Sequence, residues 1–100
     1  MALHSFTNKT VAVAGTAVSI AASHVGANWV ILCALPANAG IVYIGDSTVT
    51  NAGGAKRGIQ LNAGQSAILP AQAIPTAYDL AQVFVNADTI GDGVSGSYGT

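Results

Sequence analysis

Charge is what this chain has least of. Among its 100 residues the cations are Lys9, Lys56 and Arg57, the anions are Asp46, Asp79, Asp88 and Asp92, and glutamate is absent, so 7% of the chain is charged with a formal net charge of -1. Soluble domains average roughly 25%. Three scattered cations make no basic stripe that could neutralise a row of phosphates, which argues against nucleic acid as a partner. A surface so nearly neutral also lacks the interspersed charges that keep a free monomer unassociated. That suits a protein that packs against neighbours, in an oligomer or a lattice.

Cysteine and histidine are scarce as well. Cys33 stands alone, so no intramolecular disulfide can form, and within "NWVILCALP" it reads as a small buried thiol. His4 and His24 are the only histidines, and nothing in the chain has the spacing of three or four converging metal ligands, so no metal and no cofactor is expected. Long apolar runs are missing too. The uncharged stretch "TVAVAGTAVSIAAS", Thr10 to Ser23, is too short to span a bilayer as a helix, and its strand-like alternation sets it apart from a signal peptide. It is read as part of the mature protein, with no membrane partner.

What the chain does contain is strands. Its 51% of hydrophobic residues fall in short runs rich in Val and Ile, bounded by Gly, Asn, Asp or Pro, and one hundred residues suffice for a single core. Val11 and Val13 alternate with Ala12 and Ala14, Val18 and Ile20 with Ala17 and Ser19, and Gly15 separates the two as a bulge or turn. "NWVILCALP" is apolar on both faces and reads as a central strand covered on both sides, closed by Pro36. "ANAG" predicts a hairpin into "IVYIG", and "NAG" a second one between "GIQL" and "QSAILP", with Gly64 at a positive-φ position. Pro70 and Pro75 bracket an irregular crossing segment, "DLAQVFVNA" is a strand with one apolar face, and a short last strand of loose end falls around Val94 to Tyr98. These signals predict an all-β fold, a small antiparallel β-sandwich or jelly-roll-like barrel of about seven to nine short strands. Residues 1–9 are expected to form an N-terminal arm ahead of a single domain over residues 10–100.

One polar island, within "VYIGDSTVTNAGGAKRGIQL", invites a chemical reading. Gly45-Asp46-Ser47 is the triplet of one hydrolase family, but here it ends a strand and the chain has no Asp-x-x-His block to activate a serine. The glycines before Lys56 lack the spacing of a phosphate loop, and Arg57-Gly58-Ile59 opens a strand where that loop needs a helix. The island is therefore expected to be the connection between a strand at Val42 to Ile44 and a returning strand at Gly58 to Leu61. Its Lys56-Arg57 tip is either solvated or paired with carboxylates of a neighbouring subunit. Asp88 and Asp92, in "DTIGD", are the one close acidic pair and a conceivable calcium site. Trp29 and Phe84 read as core, and a sugar platform would need two exposed coplanar rings. No catalytic residue is expected, and the chain reads as a non-enzyme.

The order of "TAVSI", "WVILCALPANAGIVYIGDSTVT", "GIQLNAGQSAIL", "LAQVFVNA" and "GDGVSGSY", over roughly residues 16 to 98, resembles a family of small tailed-phage proteins that form β-sandwich virion components. The resemblance implies a capsid decoration, or cement, protein on the capsid surface of a virion, made in the host cytoplasm. Its partners would be the major capsid protein and copies of itself, as a homotrimer or another small symmetric oligomer. The alternative is a receptor- or glycan-binding module on a phage head or tail. Leu3 and Phe6 in the arm, with Lys56 and Arg57 at the loop tip, are the residues expected to make assembly contacts.

Overall fold

The computed structural model describes residues 2–51, 56–70 and 78–100. Among them the chain forms β1 (Leu3–Thr10), β2 (Val18–Ser19), β3 (Gly26–Ala27), β4 (Trp29–Ala34), β5 (Val42–Gly45), β6 (Ile59–Leu61), β7 (Ser66–Leu69), β8 (Tyr78–Asp79), β9 (Phe84–Ala87) and β10 (Gly93–Gly99). The only helical piece among the described residues is a single 3-10 turn, Leu80–Gln82, so none is long and apolar enough to cross a membrane.

The pairing is nested. β1 pairs with β10, β2 with β9, β3 with β8, β4 with β7 and β5 with β6, every pair antiparallel. That is one long hairpin with its tip at β5–β6. Two further antiparallel pairs, β10 with β4 and β5 with β9, roll the hairpin up on itself. The result is a front sheet in the order β1-β10-β4-β7 and a back sheet in the order β2-β9-β5-β6, with β3-β8 as a separate two-stranded ribbon. This strand order is that of a jelly roll. The fold is thus all-β, a small antiparallel sandwich.

Between the sheets lies an aliphatic core. The front sheet supplies Val30, Leu32, Ala34 and Val94, the back sheet Val42, Ile44, Leu61, Val85 and Ala87, and Val11, Ile20, Leu80 and Val83 close the ends. Each fully buried Val, Leu or Ile contributes roughly 1.5–3 kcal/mol. One end of the sandwich is clamped by polar contacts. The buried Asp92 carboxylate accepts the Ala39 and Gly40 amides at 3.0 and 2.8 Å, while the Asn38 side chain donates Nδ2 to the Gly93 carbonyl at 2.9 Å and accepts the Gly93 amide on Oδ1 at 3.0 Å.

Several expectations are corrected. Leu3 to Thr10 is not an arm apart from the domain but a strand of the front sheet, because β10 offers it a full antiparallel partner from Gly99 to Gly93. Val11 is buried while Val13 is exposed, since the chain turns at residues 12–15 instead of running on as a strand. Neither predicted hairpin forms. "ANAG" carries the chain from front to back sheet, and "NAG" carries it from back to front with Gly64 at φ +81°, because a short polar turn serves a corner between facing sheets as well as a hairpin. The last strand is not loose but lies between β1 and β4. The crossing segment read between Pro70 and Pro75 lies outside the described residues.

Trp29 and Phe84 are also not in the core. Both are half-buried on the outer faces, Trp29 in front and Phe84 behind. β4 is central in its sheet, as its composition predicts, but Val30, Leu32 and Ala34 alone point inward. Its other row, Trp29, Ile31 and Cys33, is covered only in part. Cys33 is accordingly half-buried rather than enclosed, its thiol turned to the carbonyls of Ala34 and Gly64.

Candidate functional site

Register decides what the outer face of the front sheet presents. Residues directly opposite one another share a face. Leu3, Gly99 and Trp29 therefore form one row; Ser5, Ser97, Ile31 and Ile68 a second; Ser95, Cys33 and Ser66 a third. No position in these rows is charged. Leu3 is 69% exposed, Ile68 64% and Ile31 37%. The Trp29 indole packs on Gly99 so closely that a β-carbon there would sit 2.2 Å from Nε1. The glycine thus lets the ring lie down against the sheet, and the whole face stays low and uncharged.

The outer face of the back sheet is different. Tyr43 and Asn86 are directly opposite each other on β5 and β9, alternate with the core residues Val42, Ile44, Val85 and Ala87, and so point away from the core. Yet both are buried. The polar island covers them: Val49 is buried against this face, the Asn86 Nδ2 donates to the Val49 carbonyl at 3.3 Å, and the Asn51 Nδ2 donates to the Ala87 carbonyl at 3.2 Å. The Tyr43 phenol donates to both Asp88 carboxylate oxygens, at 3.0 and 3.1 Å, and the Lys56 Nζ lies 6.0 Å from the ring centroid. Burial, then the bond to Asp88, pushes the phenol above its ordinary pKa.

Within the island each residue has a conformational task. β5 and β6 pair antiparallel, Val42 with Leu61, Tyr43 with Gln60 and Ile44 with Ile59, and a bridge between Thr50 and Arg57 prolongs the hairpin. Asp46 accepts the Thr48 amide at 2.9 Å and the Thr48 hydroxyl at 2.5 Å, which with the Arg57 charge holds its carboxyl below the usual range. Ser47 is exposed at this turn. Neither histidine is placed with it: His4 stacks on Tyr98 with centroids 4.9 Å apart, and His24 Nδ1 meets Asp79 Oδ2 at 2.9 Å. The Asp79 carboxyl is held below the usual range by His24 first and by the Ala81 amide it caps.

The four residues expected to make assembly contacts fall in three different places. Leu3 lies on the bare front face. Phe6 turns inward and packs partly buried against the core. Lys56 and Arg57 belong to the cover of the back sheet, Arg57 near Asp46. The acidic pair of "DTIGD" is also divided, Asp88 on the Tyr43 phenol and Asp92 on two backbone amides, and among the described residues no group of three metal-ligating side chains converges. The aromatic residues are divided among the front sheet (Phe6, Trp29, Tyr98), the back sheet (Tyr43, Phe84) and the two-stranded ribbon (Tyr78).

Sequence reasoning missed Ile31, Ile68 and Trp29 as a surface. A signal was present: β4 and β7 carry apolar residues at both parities, which a strand in a two-layer sandwich needs at only one. Comparison of the chain with family models, with curated proteins and with solved structures finds no match.

Proposed function

We propose that this protein is a non-enzymatic structural component that works by burying the outer face of its front sheet against an assembled partner. The observation that carries this reading is the uncharged face itself, with Leu3, Ile31 and Ile68 exposed beside Trp29, while Tyr43 and Asn86 in the middle of the opposite sheet are covered. Exposed apolar surface of this kind gains from association about 25 cal/mol per Å² removed from water. The resemblance of the strand and turn order to small tailed-phage virion proteins supports a specific partner, the major capsid lattice, and the role of a decoration or cement protein. Its mechanism there is mass action, since a protein that binds only the assembled shell stabilises that shell by RT ln(1 + [L]/Kd).

Purified virions from the source of the gene test the proposal. Mass spectrometry is expected to find this chain in the particles, and added protein is expected to rebind particles stripped of it, whereas Ile68→Asp is expected to lose at least tenfold in occupancy. Absence from the particles, or rebinding by Ile68→Asp at full occupancy, overturns the reading.

A further inference from the structure

The four sheet edges are not equally guarded. β2 has two residues, β6 has three and follows Lys56 and Arg57, and β7 has four and stops at Pro70. β1, the remaining edge, has eight. Natural edges of that length are blunted by charge, proline or a bulge. β1 has its bulge between Phe6 and Lys9, where the register shifts, and its one charge, Lys9, lies beyond that. The stretch Leu3-His4-Ser5-Phe6 has no such guard.

Hydrogen-bond parity shows which groups this stretch offers. In an antiparallel pair, opposed residues alternate between exchanging hydrogen bonds and turning their amides away. Thr100 donates to the Ala2 carbonyl at 3.0 Å, and Leu35 donates to Gly93 at 3.0 Å across the other side of β10. Even-numbered residues of β10 thus bond toward β1, and the pairs His4–Tyr98 and Phe6–Gly96 exchange the bonds. Leu3 and Ser5 are the alternate pairs, consistent with the close approach of the Ser5 and Ser97 hydroxyls at 3.4 Å. The N–H and C=O groups of Leu3 and Ser5 therefore point out of the edge.

We propose that β1 pairs antiparallel with β1 of a second copy about a two-fold axis through His4, so that Leu3 of each protomer exchanges backbone hydrogen bonds with Ser5 of the other. The pairing is self-complementary, as a closed two-fold requires: two donors and two acceptors on each copy meet the same set inverted, and the bulge ends the match on both sides. It also buries part of the exposed Leu3 and joins the two front sheets into one eight-stranded sheet. The two uncharged faces then lie side by side. This inference stands apart from the capsid reading, because it concerns the isolated protein.

Sedimentation velocity of the purified full chain at micromolar concentration tests it, with a dimer of 9.9 kDa protomers as the expected species. Ser5→Pro removes an outward N–H that β10 does not use, a substitution that edge strands tolerate, and is expected to give a folded monomer. In a Cys33→Ser background, His4→Cys places two thiols across the axis in a non-hydrogen-bonded pair, where the short separation suits a disulfide, and is expected to cross-link into a covalent dimer. A monomeric wild-type chain overturns the proposal and leaves the edge to a different chain. A trimer, a dimer abolished by Ile68→Asp but not by Ser5→Pro, or a failure of His4→Cys to cross-link overturns it as well.

Discussion

The two outer faces of the sandwich solve one problem in opposite ways. Behind, described residues of the thirteen-residue connection between β5 and β6 fold back onto the sheet, where Val49 is buried with Tyr43 and Asn86, and the polar side-chain atoms of the latter two bond to Asp88 and to backbone. In front, the described chain supplies no such cover, and serines alternate with Leu3, Ile31 and Ile68 at the surface. A domain with seven charged side chains has little else with which to keep a sheet solvated. The protein uses residues between β5 and β6 to cover the middle of one face, while among the described residues nothing covers the apolar side chains of the other.

If the cover is integral to the fold, breaking its hinge should give the largest effect on stability. Gly58 sits at φ +112°, and a β-carbon there would lie 2.6 Å from Val49 Cγ2 and 2.8 Å from the Ile44 carbonyl oxygen. Both the backbone conformation and the space are closed to other residues. Gly58→Val is expected to destabilise the domain by about 2–3 kcal/mol in urea unfolding, chiefly by lifting Val49 off the sheet. A loss below about 0.5 kcal/mol would mean that the island merely rests on the back sheet.

The asymmetry of the faces was only half legible in the sequence. Alternation placed β4 and β5 well but β9 only in its second half, since Leu80–Gln82, read as part of that strand, form a 3-10 turn capped by Asp79; the island's ends fell where β5 and β6 begin to pair, because period-two burial and turn residues are local signals. The polar island is a connection between two strands, as its glycines and polar residues predict. What escaped was its destination, since nothing local says that Asn86, 37 residues beyond Val49, will donate a hydrogen bond to it. Tyr43 shows the same limit: it alternates with core valine and isoleucine and should be exposed, but a distant segment buries it. Conversely Trp29, Ile31 and Cys33 look enclosed by composition, and are only partly buried because among the described residues no second layer lies over their row. The nested topology, with the first strand beside the last, is also non-local, so the N-terminal segment looked like an arm.

Alkaline titration sharpens the comparison, since the back face has a buried ionisable group and the front rows have no charged side chain. The Tyr43 phenol is raised above its ordinary value near 10, by burial first and then by its bond to the Asp88 carboxylate. A raised value in the folded state means that the native protein holds this proton longer than the unfolded chain does. The associated stability is complete below about pH 10 and falls as pH rises through the folded value. Unfolding monitored by circular dichroism is expected to show stability declining above about pH 10, and Tyr43→Phe is expected to flatten that decline while lowering stability at neutral pH through the loss of the Asp88 bond. A slope unchanged in Tyr43→Phe would place the alkaline sensitivity elsewhere.

The smallest effect on stability, and the most informative about the front face, is expected from Ile68→Asp. Ile68 sits on the edge strand β7 at 64% exposure, opposite Ile31, so removing it forfeits little burial, and the carboxylate that replaces it remains in water. The expected change in unfolding free energy is within about 0.5 kcal/mol, against several times that for Gly58→Val behind. Such a result separates the two faces by function, because a side chain that contributes almost nothing to the isolated fold, yet adds apolar area to an uncharged surface, gains its value only from what covers it. A loss above about 1.5 kcal/mol would instead show Ile68 holding β7 onto β4, and the front face would then be an ordinary sheet surface whose apolar residues serve the domain alone.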